Sequence, residues 1–256
     1  MPLPPRADPD IRFSVILPVH QGERYLEEAL ESLRAQPAEF RKHLEVIAVD
    51  DGSTDRSPEI LQAWKQELRV TLHSRQGGSN WMSATNDGLK LAQGTWISFL
   101  HQDDLWDPQR LPDLDQAIRE NPEVRFFCHP VQLIGPSGKR FGTWNPPLKC
   151  GNALEVSSVM PRLVTQNPLG IPAPCFHRSL LEAENGLRED LWFLADWDFW
   201  LRLLSKSRKL LCLPDALASF RIHPESQTMT RSHQEAELRT QFGEIHEWVR
   251  QQFNGQ

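Results

Sequence analysis

The sequence predicts an α/β protein: a mostly parallel, Rossmann-like sheet with helices on both faces and a smaller, less regular lobe after it. Three observations carry this. From Phe13 to Leu100 short apolar runs alternate with amphipathic stretches, the pattern of βαβ units. A chain of 256 residues, 39% of them hydrophobic, can bury a sizeable core without disulfide or metal staples. After about residue 134 the alternation gives way to Gly- and Pro-rich sequence.

Phe13–Leu17 reads as a buried strand stopped by Pro18, and Tyr25, Leu26, Ala29, Leu30 and Leu33 then recur at helical spacing. Leu44–Val49 is a second strand. Ser57-Pro58-Glu59 supplies a cap and first-turn proline for a helix to about Glu67. Val70–Leu72 is a third strand, Ala84–Ala92 a helix ended by Gly94, and Thr95–Leu100 a fourth strand. Asp107-Pro108 opens a helix to about Glu120, and Asn121-Pro122 ends it before a strand over Val124–Leu133. Gly135–Gly151 reads as an excursion, Leu180–Gly186 and Asp196–Ser205 as short helices. In His233–Phe253 a stripe of Leu238, Phe242, Ile245, Trp248, Val249 and Phe253 predicts a helix that docks on the domain, with a dimer or membrane surface as the alternatives.

With 28 Lys and Arg against 34 Asp and Glu, the net charge of −6 disfavours nucleic acid as a partner, since that needs concentrated cations to displace phosphate counterions. No run approaches the roughly 18 apolar residues of a transmembrane segment. Residues 1–11 read as a flexible lead-in, neither signal nor transit peptide. Cys128, Cys150, Cys175 and Cys212 have no metal-ligand spacing, which favours scattered core thiols in a reducing compartment.

Open parallel sheets bind ligands beyond the carboxyl ends of their strands. After the first strand comes Pro18-Val19-His20-Gln21-Gly22, one glycine where a dinucleotide fold has three. Gly135-Pro136-Ser137-Gly138-Lys139-Arg140 lacks the spacing and the Ser or Thr of a phosphate loop, and no G-x-S-x-G occurs. Carboxylates follow the strands instead: Asp50-Asp51 and Asp103-Asp104. They suit a divalent metal or the hydroxyls of a ribose; the competing reading is turn or helix-cap chemistry, which weighs most for Asp50 and Asp107.

Phe13-Ser14-Val15-Ile16-Leu17-Pro18-Val19, Val49-Asp50-Asp51-Gly52-Ser53-Thr54-Asp55 and Phe99-Leu100-His101-Gln102-Asp103-Asp104-Leu105-Trp106, in that order, resemble the opening of a family 2 glycosyltransferase. Asn86-Asp87-Gly88-Leu89 with Ala92 and Gly94 is similar to the segment before that family's D-x-D strand, and the resemblance extends over about residues 12–225. It implies a GT-A fold and metal-dependent, inverting transfer from a nucleotide-sugar donor (a UDP-, dTDP- or GDP-sugar) to a glycan or lipid-linked acceptor, in polysaccharide or glycoconjugate biosynthesis. It divides the chain into a single domain over 12–230, with a nucleotide-binding half (12–106) and an acceptor and catalytic half (107–230), followed by a C-terminal helix (231–256). The implied location is cytoplasmic or membrane-peripheral.

Residue by residue, the resemblance places Pro18, His20, Asp51, Gln102 and Asp103 against the nucleotide. Asp103 matches the last Asp of D-x-D and would hold Mn²⁺ or Mg²⁺. His101 stands at the first D-x-D position, a departure that disfavours Mg²⁺ because imidazole is a poor ligand for it. Phe220-Arg221-Ile222-His223 resembles the family's late motif and makes His223 a third candidate ligand. Ala195-Asp196-Trp197-Asp198-Phe199-Trp200-Leu201-Arg202 resembles the segment that supplies the catalytic base: Asp196 aligns with it, Asp198 is the rival, and Trp197 is a candidate acceptor contact. Asn167–Pro172, with Gly170, lies where relatives form the acceptor cavity. All six of Asp50, Asp51, Asp103, Asp104, Asp196 and Asp198 are expected around the site. A non-catalytic sugar-nucleotide-binding module and a nucleotidyltransferase remain as alternatives.

Overall fold

The computed structural model describes residues 10–77, 80–181, 185–226, 229–230 and 235–253. In chain order the first half runs β1 (Phe13–Val19), α1 (Leu26–Arg34), α2 (Ala38–Arg41), β2 (Leu44–Asp50), α3 (Ser57–Trp64), β3 (Val70–Ser74), α4 (Trp81–Leu91), β4 (Trp96–Phe99), β5 (Leu105–Trp106) and α5 (Arg110–Glu120). The second half runs β6 (Phe126–Cys128), β7 (Val131–Ile134), β8 (Arg140–Trp144), β9 (Ala153–Glu155), α6 (Val156–Leu163), β10 (Cys175–His177), a 3-10 turn (Arg178–Leu181), α7 (Ala195–Ser205), β11 (Lys209–Cys212), β12 (Ala218–Arg221) and α8 (Glu235–Phe253).

An eight-stranded sheet has the order β3-β2-β1-β4-β10-β6-β11-β9. The first four strands are mutually parallel, with Val19 opposite Asp50 and Ile16 opposite Phe99 in the ladders; β10 and β9 run against their neighbours. Alternate residues of a strand face opposite sides. Val15 and Leu17 of β1 therefore join a core with Leu30 of α1, Leu61 of α3 and Leu114 of α5, while Ile16 joins Leu89 of α4, Leu163 of α6 and Trp200 of α7 on the other side. Helices cover both faces, as expected.

Several boundaries differ from the sequence reading. The single strand expected over Val124–Leu133 is two, because Pro130 has no N–H for a ladder: β6 stays in the large sheet, and β7 enters a second sheet of order β5-β12-β7-β8. Helix α4 starts three residues early, at Trp81, because Asn80 caps it by accepting from the Met82 and Ser83 amides. Helix α3 stops at Trp64, and its start is held by the Asp55 carboxylate, which accepts from the Ser57 N–H. The Gly135–Gly151 excursion contains β8. Of the helix expected over Leu180–Gly186 only the 3-10 turn is seen, and residues 182–184 lie outside the described residues, as do 1–9, 233–234 and the Phe253 side chain. On α8, Ile245 is buried in the core, and Leu238, Phe242, Trp248 and Val249 pack against it. The stripe is thus used in docking on the domain. No helix among the described residues is long and apolar enough to cross a membrane.

Candidate active site

A cavity of about 590 Å³ opens at the carboxyl ends of the parallel strands. Pro18, His20, Asp51, His101, Gln102, Asp103, Asp196 and His223 all line it, so eight of the ten residues named from sequence come together.

At the first strand tip, the Gln102 amide clamps the backbone of His20: the His20 N–H donates to Oε1 at 2.8 Å and Nε2 donates to the His20 carbonyl at 2.9 Å. Gly22 makes room for the clamp, since a Cβ there would lie 2.5 Å from the Gln102 Oε1. The His20 Nδ1 lies 3.0 Å from the Asp51 carbonyl. Asp51 itself sits under the loop before α4, where its Oδ2 accepts the Asn80 N–H at 2.7 Å and its Oδ1 lies 3.2 Å from the Arg75 guanidinium. Gly77 passes so close that any Cβ would collide with that carboxylate. Asp87 holds the other side of Arg75 at 2.9 Å, which gives the Asn86-Asp87-Gly88 motif a structural part in the site.

At the second tip, Asp103 Oδ2 lies 2.9 Å from His223 Nε2, and His223 Nδ1 lies 3.0 Å from Glu225 Oε2. The hydrogen bond to Asp103, opposed by burial and helped by Glu225, raises the His223 pKa. His101, the third expected ligand, is not gathered with them: its ring packs edge-on against Trp81, and no cluster of three His, Cys, Asp or Glu able to hold a metal exists among the described residues. Its Nε2 is nonetheless buried without a partner, and burial lowers its pKa, which favours the neutral, electron-donating imidazole.

The acidic doublets divide their labour. Asp50 accepts the Ser53 N–H in the turn, and Asp104 is fully buried, accepting the Arg221 N–H at 2.9 Å. Asp198 pairs with Arg202 at 2.8 Å. These three do not line the cavity, which corrects the expectation of six carboxylates around it. Arg221 is the strut of this wall. Its side chain is fully buried, donates to the Asp103 carbonyl at 2.8 Å and to Glu28 at 2.6 Å, and lies 4.4 Å over the Tyr25 ring, which also touches His223.

Asp196 projects from the first turn of α7. Its Oδ1 accepts the Trp197 N–H and its Oδ2 the Asn167 Nδ2–H, each at 2.8 Å. Burial pushes its pKa up to about 6 against these hydrogen bonds, a value suited to a carboxylate that takes a proton near neutral pH.

Trp197 and Gly170 do not reach the cavity. One residue along a helix turns the side chain by about 100°, so Trp197 points into the core, donates to the Leu163 carbonyl at 2.9 Å and packs on Phe242 of α8. Gly170 lies behind the wall, where a Cβ would stand 3.4 Å from the Trp144 ring. The aromatic lining comes from Trp81, Trp144, Trp192, Phe193 and Phe220. Only Phe220 lies within a recognised motif; Trp144 and Trp192 sit in irregular sequence that offers no local signal.

Residues 14–171 match the glycosyl transferase family 2 profile. An uncharacterised glycosyltransferase of Rickettsia felis is 29% identical over 200 residues, 77% of this chain and 31% of that protein. The uncharacterised glycosyltransferase EpsJ of Bacillus subtilis is 28% identical over 222 residues, 84% of this chain and 62% of that one. The chain thus spans less than two thirds of either relative. Among solved structures, S. aureus TarS 1–349 in complex with UDP-GlcNAc superposes with a TM-score of 0.70 at 22% identity, covering 86% of this chain and 61% of that one. The mannosyltransferase PcManGT of Pyrobaculum calidifontis, in complex with GDP-Man and Mn²⁺, gives 0.67 at 19%, covering 96% and 68%. These likenesses show the fold to be the GT-A type expected from sequence. With its family profile matched over more than half its length, the chain belongs to glycosyl transferase family 2.

Proposed function

We propose that the protein transfers a sugar from a nucleotide-sugar donor to an acceptor hydroxyl by a single displacement, with inversion at the anomeric carbon. The observation that carries this is the placement of Asp51, Asp103 and Asp196 in one cavity, the first two beyond strand ends and the third on the first turn of α7 with its pKa raised to about 6. The nucleoside would lie at the first tip, over Pro18 and His20, with the buried Asp51 carboxylate, held by the Asn80 N–H and Arg75, bracing the wall beneath base or ribose. The nucleotide-sugar complexes of TarS and PcManGT support a donor of this class.

The residues at the second tip fit a divalent cation. The Asp103 carboxylate and the His223 imidazole would hold it. When bound, the cation neutralises charge on the departing diphosphate; an imidazole ligand favours Mn²⁺ over Mg²⁺, and the Mn²⁺ in PcManGT agrees. Asp196 removes the proton of the acceptor hydroxyl as its oxygen bonds to the anomeric carbon and the bond to the diphosphate breaks. The aromatic faces of Trp144, Trp192 and Phe193 shape the acceptor side, which suits the apolar faces of a glycan or lipid-linked sugar. The division of labour is a nucleotide-binding half over 12–106 and an acceptor half over 107–230, with production of a polysaccharide or glycoconjugate as the wider role.

The test is a screen of nucleotide sugars with Mn²⁺ and Mg²⁺ by thermal shift, since a ligand of the native state raises its stability, followed by turnover with candidate acceptors. The expected result is release of nucleoside diphosphate, with Asp196→Asn binding donor normally and failing to transfer. Release of pyrophosphate, or normal turnover by Asp196→Asn, would overturn the reading.

A further inference from the structure

We infer that Asn167 is a positioning residue for the base: its amide aims the Asp196 carboxylate at the acceptor side of the cavity and holds it in the orientation that accepts the proton. The inference rests on the proposed role of Asp196.

The geometry is closed at both ends. The bond from the Trp197 N–H fixes one carboxylate oxygen of Asp196 to its own helix, but a single bond leaves the carboxylate plane free to turn. The Asn167 Nδ2–H on the second oxygen removes that freedom. Asn167 cannot present its amide the other way round, because its own Oδ1 accepts the Leu169 N–H at 3.3 Å. Asn167 and Asp196 both line the cavity although they come from separate elements, one before β10 and one on α7. Each carboxylate oxygen has two acceptor sites, so the two bonds leave capacity for an incoming hydroxyl.

The donor's chemistry matters as much as its position. Burial works to protonate Asp196, and the Asn167 hydrogen bond works against it. A neutral amide limits the rise without holding the carboxylate as an ion pair with Arg or Lys would. Of the other titratable groups on α7, α8 and the cavity wall, Asp198 pairs with Arg202, His246 with the Val164 carbonyl at 2.9 Å, His223 with Asp103 and Glu225, and Asp51 with Arg75; His20 Nδ1 lies 3.0 Å from the Asp51 carbonyl, and the His101 imidazole is neutral in its buried position.

The experiment compares kcat, donor KM and the pH profile of kcat for wild type, Asn167→Ala and the near-isosteric Asn167→Asp. Loss of aim should lower kcat roughly 10–100-fold in Asn167→Ala while donor KM stays unchanged. Loss of a hydrogen bond to the ionised form should move the acidic limb up by about one pH unit. In Asn167→Asp a second carboxylate faces the first, so the limb should move further in the same direction. Thermal melts separate this from a folding defect: the limb shift appears in whichever variant stays folded, and a kcat loss with the limb unmoved in both overturns the inference. Wild-type kcat in Asn167→Ala alongside an inactive Asp196→Asn overturns the inference and leaves the base reading standing. An active Asp196→Asn removes both.

Discussion

The Asp103 carboxylate meets the His223 ring at 2.9 Å although 120 residues separate them in the chain. Backbone, not side chains, brings them together. β5 starts two residues after Asp103, β12 ends two residues before His223, and the two strands pair antiparallel with Ser219 opposite Leu105. If this pair holds the cation, a chelator abolishes transfer, and Asp103→Ala loses the Mn²⁺-dependent thermal shift given by a nucleoside diphosphate. His223→Ala should weaken that shift, with apparent cation affinity lower by at least ~10-fold. Unchanged Mn²⁺ dependence in both variants would remove the pair from the cation site.

Asp196 should show the opposition between function and stability. Its folded pKa of about 6 lies above the ordinary carboxylate value of 3.8, so the ionised form is penalised in the folded state. The contribution of this one group to stability therefore falls as pH rises from about 4 to 6 and stays reduced above that. Asp196→Asn escapes the penalty. After discounting for solvent at the cavity mouth, it should be more stable than wild type by about 1–2 kcal/mol at pH 7.5 and equal to it below pH 4. Urea melts at the two pH values check this, and a less stable Asn variant at pH 7.5 contradicts it.

Arg221 should resist conservative change. Its guanidinium donates in several directions at once, to the Asp103 carbonyl, to Glu28 and to the Pro136 carbonyl at 3.2 Å, from a fully buried position. An ammonium cannot reproduce that fork. We expect Arg221→Lys to lose about 2–4 kcal/mol of stability and to weaken cation-dependent donor binding, because the wall carrying Asp103 and His223 loosens. Equilibrium unfolding and donor titration measure the two effects; a melt within error of wild type would sink the idea.

Two tryptophans should separate cleanly. Trp197→Phe removes an indole that donates to the Leu163 carbonyl in the core, so it should cost about 1–2 kcal/mol of stability and leave acceptor KM unchanged. Trp144→Ala opens a wall of the cavity and should raise acceptor KM severalfold with donor KM unchanged. Steady-state kinetics with each substrate varied would show the split, and the reverse pattern would return Trp197 to the acceptor side.

Much of this was legible because strand tips are punctuated in sequence. Asp50-Asp51 and His101–Asp104 come where an apolar run ends, Pro18 sits one residue before the end of β1, and parallel ladders carry such tips to one edge, so their meeting is a consequence of topology. What fails is anything that depends on facing. Trp197 and Asp196 are adjacent in sequence, yet the helix sends one into the core and the other into the cavity. His101 and Asp103 both line the cavity, but only Asp103 meets His223. Long-range partners leave no local trace at all: nothing around Asn167 announces Asp196, and the single Tyr, Tyr25, gains its place between Arg221 and His223 only when β12 returns beside β5.

That return sets an order of assembly. Ribosomes deliver Asp51 and Asp103 long before His223, and domains begin to fold as they emerge. Contacts closed over so much chain come late. A growing polypeptide stopped at residue 134 would already contain β1 to β4 and the cavity residues Pro18, His20, Asp51, Gln102 and Asp103, but neither His223 nor the β12 strand that brings it to Asp103. If Asp103 and His223 hold the cation as proposed, its site is completed only after synthesis has passed Asp196, and the unfinished chain lacks it.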